Sequence, residues 1–184
     1  MKIRPLFFFV FAASLLTLAS AASRPPRQNK TATTQCNVRA YVLNGGPNGV
    51  NLRAAAGKSF KLAGRLPTQK VEGVVVHITG ASGEWMRIDK ATEEGGSTDR
   101  VLFRGAGWIN AGLLGVSGKA IDNGATSLYQ SKSKQSAVVI AVPGGDDAVK
   151  IRGCDGGWLF VEYQQKTGWA APDTLCANSL TTCV

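Results

Sequence analysis

A single histidine, His77, stands in 184 residues. General-base chemistry and zinc binding both ask for partners around an imidazole, and no second histidine exists to supply one. Cysteine is scarce as well. None of the four, Cys36, Cys154, Cys176 and Cys183, has the C-x-x-C spacing of a zinc or redox site. Carboxylates are few, 12 against 21 Lys and Arg, which leaves a formal charge of +9. Asp146 and Asp147 form the one tempting acidic pair, yet adjacent residues on a strand point apart and cannot flank one bond. "AAAGKS" (Ala54–Ser59) fails as a phosphate loop, because Leu52 stands where that pattern needs its first glycine. "GVSGK", from Gly115, lacks the spacing of a serine-nucleophile elbow. No stretch holds a sustained helical period. These absences argue against an enzyme and against a resident metal or cofactor, and they leave His77 as a surface histidine on a strand.

What is present begins with a leader. Lys2 and Arg4 precede the apolar run "PLFFFVFAASLLTLASA", which ends in the small-residue spacing Ala19-Ser20-Ala21. The run falls short of the roughly 20 apolar residues that span a bilayer. Basic, apolar, then small reads as a cleavable secretion signal over 1–21, so the mature protein is expected in the periplasm or outside the cell, with no stable membrane insertion. Residues 22–35, with two prolines, several charges and almost nothing apolar, read as a disordered linker. "NKT" at Asn29 fits a glycosylation acceptor, which matters only in a host that glycosylates. Loss of Lys2 and Arg4 takes the charge to +7. Outside the cell that charge suits peptidoglycan carboxylates, anionic lipids or acidic proteins, not nucleic acid. An even number of cysteines in an exported chain reads as two disulfides, with three pairings open. The expected pairing is Cys154–Cys176, which ties the turn before Trp158 to the chain after the last strand. Cys36–Cys183 would then join the two ends.

The remainder is short Val/Ile/Leu/Phe/Tyr-rich runs between turns rich in the 22 glycines, the pattern of an all-β protein. The two halves also align. "VVVHITGASGEW" lies over "DAVKIRGCDGGW", with Gly80 on Gly153, Gly83 on Gly156 and Trp85 on Trp158. Upstream, Pro67 falls on Pro143; downstream, "GAGWINAGLL" matches "KTGWAAPDTL", with Trp108 on Trp169. A charged, glycine-rich insertion at about 90–101 separates the tryptophans of the first copy and should lengthen an exposed hairpin. Two tandem copies of one small β unit is the economical explanation. The first is placed at 36–116, a connector at 117–124, and the second at 125–184.

Each copy resembles a bacterial SH3-like domain. "GVNLRAAAG" (Gly49–Gly57) matches the opening of that family's pattern in the first copy, and "GGWLFVEYQQKTGWAAPDTLC" (Gly156–Cys176) matches its close in the second. The second copy departs at its start, where "GATSLYQSKSKQ" lacks the Asn-Leu-Arg triplet, and the first departs at its close through the insertion. The resemblance implies two tandem small SH3-like β-barrels. It also implies a ligand groove beside the Trp at the matching strand start, here Trp85 and Trp158. By period two, Trp85, Arg87 and Asp89 share one face against Met86 and Ile88, so Trp85 leans toward solvent, where it can stack on a sugar or peptide. The competing reading is a barrel-edge Trp covered by a neighbouring loop or by the other copy. Arg53 resembles the family's arginine after the first strand, with a loop-holding role as its plainer reading. Tyr129 and Tyr163 are candidates for the groove border, with core or rim packing the favoured alternative. Trp108 and Trp169, directly after glycine, are expected in the core. With two such units and a linker filling the chain, no separate catalytic domain is expected. The sequence thus points to an exported, non-catalytic binding module for a cell-wall peptide, glycan or protein. The alternative is a structural, inhibitory or regulatory partner of an exported protein.

Overall fold

The computed structural model describes residues 32–43, 47–67, 73–119, 124–145 and 149–178. The expected leader, most of the expected linker, the Asp146–Asp147 pair and Cys183 lie outside the described residues. The linker's last two residues, Thr34 and Gln35, already belong to the first strand. All described residues fall in one compact unit. In chain order they form β1 (Thr34–Val42), β2 (Val50–Arg53), β3 (Leu62–Leu66), β4 (Val74–Ser82), β5 (Trp85–Glu93) and β6 (Arg100–Asn110). A 3₁₀ turn (Ala111–Leu113) leads to β7 (Leu114–Gly118), β8 (Thr126–Tyr129), β9 (Val138–Val142), β10 (Val149–Asp155), β11 (Trp158–Tyr163), β12 (Lys166–Ala170) and β13 (Leu175–Cys176). No α-helix occurs among these residues, and none of their helices is long and apolar enough to cross a membrane.

The strands join in one antiparallel sheet, ordered β3-β2-β6-β5-β4-β1-β7-β10-β11-β12-β8-β9, with β13 added on β7. From the middle outward, both directions give the same succession: β4-β5-β6-β2-β3 on one side, β10-β11-β12-β8-β9 on the other. Register repeats as well as order. Val50↔Leu66 and Leu52↔Gly64 are followed by an irregularity and Arg53↔Leu62. Thr126↔Val142 and Leu128↔Ile140 are followed by the same irregularity and Tyr129↔Val138. A second bulge also recurs. It precedes Gly80↔Arg87 and Ser82↔Trp85 in one half and Gly153↔Phe160 and Asp155↔Trp158 in the other. Bulges are placed features that re-aim side chains, so their recurrence extends the sequence repeat to three dimensions.

The halves are nevertheless stitched together. β7 pairs with β1 through Tyr41↔Gly115 and Val42↔Leu114, and with β10 through Lys150↔Gly115 and Val149↔Val116. One hydrophobic cluster holds Ile78, Met86, Ile88 and Ile109 from one half and Leu128, Ile151 and Val161 from the other. Ala40, Leu114 and Val116 lie at the seam of the same cluster. Burying a Leu or Val side chain such as Leu114 or Val116 contributes about 1.5–3 kcal/mol, so the seam is part of the core.

The disulfide expectation is corrected here. Cys36 is bonded to Cys154, with Cα atoms 5.8 Å apart, which excludes both Cys154–Cys176 and Cys36–Cys183. The reason lies in β1, whose register against β4 slips between Gln35 and Val38. That bulge turns the Cys36 segment toward the second half, where Asn37 N donates to Gly156 O at 2.8 Å and Gly156 N donates to Gln35 O at 2.8 Å. Cys154 Sγ also lies 3.9 Å from the buried Met86 Sδ of the first half. Cys176 is disulfide-bonded too, and none of the described cysteines is free.

The insertion does lengthen the β5–β6 hairpin, to strands of 9 and 11 residues against 6 and 5 in β11 and β12. It is not wholly exposed. Ala91 and Thr92 are buried, because they pair with Val76 and Val75 of β4 and extend its ladder.

Candidate functional site

The twice-written Gly-Trp explains how the outer faces are built. A Cβ at Gly168 would stand 2.9 Å from Leu128 Cβ, and one at Gly107 would stand 3.2 Å from the Phe103 ring and 3.4 Å from Leu52 Cβ. These glycines face inward where β8 and β2 press onto the core. Strand alternation then turns the following tryptophan outward. Trp108 and Trp169 are accordingly half-buried on the outer face, not in the core where the sequence reading put them.

Around Trp169 the ladders set a cross-strand row: Val138 opposite Tyr129, Tyr129 opposite Trp169, and Trp169 opposite Phe160. Directly opposed residues share a face with Cβ atoms about 4.5–5.5 Å apart. Phe160 and Trp169 pack with ring centroids 5.1 Å apart. Trp158, two residues before Phe160, meets Tyr129 edge-on at 6.2 Å. Lys132 lies 5.6 Å from the Trp169 ring centre and pairs with Asp155. The result is an aromatic shelf of four half-buried rings.

The equivalent row in the first half reads Leu62, Arg53, Trp108, Arg87, with Trp85 two residues before Arg87 on the same face. Arginines take the places of Tyr129 and Phe160. Arg53 Nη1 donates to Phe60 O at 3.1 Å and so holds the 54–60 loop. Among the described residues neither Arg53 nor Arg87 has an ion-pair partner. Arg39, Arg100, Lys132 and Arg152 are all paired with carboxylates.

Of the residues singled out from sequence, Trp85, Arg53, Trp158 and Tyr129 come to these two faces. Tyr163 does not: it is 3% exposed, since in β11 it follows Leu159 and Val161 on the inward side. His77 is half-buried and bridges three strands. Its Nδ1 lies 2.7 Å from Asp89 Oδ1 and its Nε2 lies 2.9 Å from Asn37 Oδ1. Arg87, Trp108, Phe160 and Trp169 were missed as site residues; the signal was the period-two alternation read through the inward glycine.

A cleft of about 870 Å³ between β1, β4 and the 171–178 segment was also invisible in the sequence. Arg39, His77, Glu94, Lys119, Asp173 and Leu175 are among its lining residues. Its charges largely answer one another. Glu94 accepts from Arg39, from Thr92 Oγ1 at 2.9 Å and from Asn178 Nδ2 at 3.5 Å, while His77 is held by Asp89 and Asn37. The outer faces instead carry aromatic area and, in the first half, guanidinium groups without an ion-pair partner, and they are the better candidate.

No protein-family model matches this chain, and no curated protein matches it significantly. Among solved structures it is similar to NlpC2 from Trichomonas vaginalis at 17% identity and a TM-score of 0.29. The match covers 79% of this chain and 48% of that one. The chain thus spans about half of that protein's length, and so loose a likeness carries no argument about fold or activity.

Proposed function

We propose that this protein is an exported, non-catalytic binding protein built from two SH3-like β units, and that it recognises a cell-wall peptide or glycan on the outer faces centred on Trp108 and Trp169. One observation carries the reading. Both halves aim an indole outward from the same register position, flanked on both sides by long side chains, and the fold itself requires only the inward glycine before it. Indole faces stack on sugars and peptide planes with large contact area at small entropic cost. The leader-like composition of residues 1–21 supports export, and the Cys36–Cys154 bond fits an oxidising compartment. Peptidoglycan answers the basic balance of the chain.

A second reading, a regulatory or structural partner of an exported protein, draws on Leu62 and Val138. They lie at equivalent ends of the two rows and are 48% and 54% exposed, which suits a flat protein interface. Co-sedimentation with isolated sacculi decides between them. Wild type is expected to pellet, with a large loss for Trp108→Ala/Trp169→Ala and for Trp85→Ala/Trp158→Ala. Equal recovery of all three proteins would remove the binding claim, and a single stoichiometric protein crosslinked in the native envelope would favour the second reading.

A further inference from the structure

The two faces share a backbone and differ in chemistry. We infer that the first-half face, Arg53–Trp108–Arg87, is an anion-selective subsite for a carboxylate-bearing saccharide, whereas the second, Tyr129–Trp169–Phe160, takes uncharged ring surface; this rests on the binding reading above. Trp108 offers the flat apolar platform for a sugar ring. Arg53 and Arg87 stand directly opposite it on the two neighbouring strands, one on each side of a ring lying on the indole. A guanidinium fork matches a carboxylate bidentately, which lysine cannot do. The bond to Phe60 O fixes Arg53 in place and leaves its other N–H groups for a ligand. Neither acidic neighbour forms an ion pair with these arginines: Asp89, on the same face of β5, has its Oδ1 2.7 Å from His77 Nδ1, and Glu84 sits in the exposed turn before Trp85. The second half is an internal control, since its lysine over the row is already paired with Asp155.

The test uses the full exported chain and tryptophan fluorescence. The probes are a galacturonate tetramer, a neutral chitin tetramer and a tetraglutamate peptide. The acidic saccharide is expected to bind more tightly than the neutral one, and to weaken as salt rises from about 20 to about 300 mM, since screening shortens the Debye length. Arg87→Gln is expected to weaken galacturonate binding about tenfold, the scale of one charge-assisted hydrogen bond, Arg53→Gln/Arg87→Gln is expected to weaken it further, and both should leave the chitin tetramer unaffected. Arg87→Lys should keep only part of the affinity. Tyr129→Arg/Phe160→Arg should create a second galacturonate site. Among the described residues the Arg87 side chain makes no hydrogen bond or ion pair, so its single variant stands even if Arg53→Gln loosens the 54–60 loop; an unchanged melting temperature checks this. Equal binding of acidic and neutral saccharides, or full binding by Arg87→Gln, overturns the inference while Trp108→Ala still tests the face itself. Tetraglutamate binding without galacturonate binding would make the ligand a peptide and overturn it too. If neither sacculi nor any probe responds to Trp108→Ala, the underlying binding reading fails instead.

Discussion

Cutting the Cys36–Cys154 bond should cost this protein a large share of its stability. The cleanest perturbation is Cys36→Ala/Cys154→Ala. Cys154 holds the register position of Ala81 in the first half, so the fold already accepts alanine there. The bond closes a loop of 118 residues. Chain-entropy reasoning gives about 4.7 kcal/mol for a loop of around a hundred residues. Loss of the sulfur packed on Met86 adds about 1 kcal/mol, as for other small core truncations. For a chain of this size each kcal/mol moves Tm by about 2–4 °C, so the fall should be about 10–20 °C. Thermal unfolding followed by far-UV circular dichroism reads it without reductant, which would also cut the Cys176 bond. A non-reducing tryptic digest gives the pairing directly: peptide 31–39 should be joined to peptide 153–166. A shift below about 3 °C would show that the bond does not constrain the unfolded chain as that relation requires. Cys154 joined to peptide 167–184 would refute the placement of β1 against β10.

Three further outcomes follow from the repeat. Gly168→Ala should lose about 1–3 kcal/mol in urea unfolding, the usual penalty for overpacking, because its Cβ would meet Leu128 and the Tyr129 carbonyl; a neutral result would contradict the inward glycine. Gly156→Ala meets no neighbour within 4 Å but sits at φ +57°, so its cost should be purely conformational, about 1–2 kcal/mol, with Gly156→Asn milder in the same titration. Deleting Gly96 and Ser97 from the exposed tip of the long hairpin should change stability by less than about 0.6 kcal/mol, as loop-closure entropy varies slowly with length; a larger loss would mean the tip packs on something.

Much of the architecture was legible because glycine and tryptophan mark fixed points of the repeat. Gly83 and Gly156 turn equivalent hairpins at the same positive φ, and aligning them aligned the strands between. β7 was not legible. Gly115 and Gly118 weaken its strand signal, so its end reads as a connector, yet it is the strand that makes two halves one sheet. The disulfide was misassigned because the bulge at Cys36 arises from register against β4, which no local pattern carries. Trp108 and Trp169 read as core residues because the inward partner beside each is a glycine, which leaves no apolar letter to mark the buried side of the alternation. The cleft at Glu94 and His77 joins segments distant in the chain, and nothing in any one of them announces it.

Hydroxyl-radical footprinting of the protein, alone and saturated with soluble wall fragments, tests the central claim most directly. Protection is expected at Trp85, Trp108, Trp158, Phe160 and Trp169, with Val101 unchanged as an exposed reference. Protection confined to Val38, Leu159, Pro172 and Leu175, which line the cleft, with the indoles unprotected, would move the site off the outer faces and contradict the account.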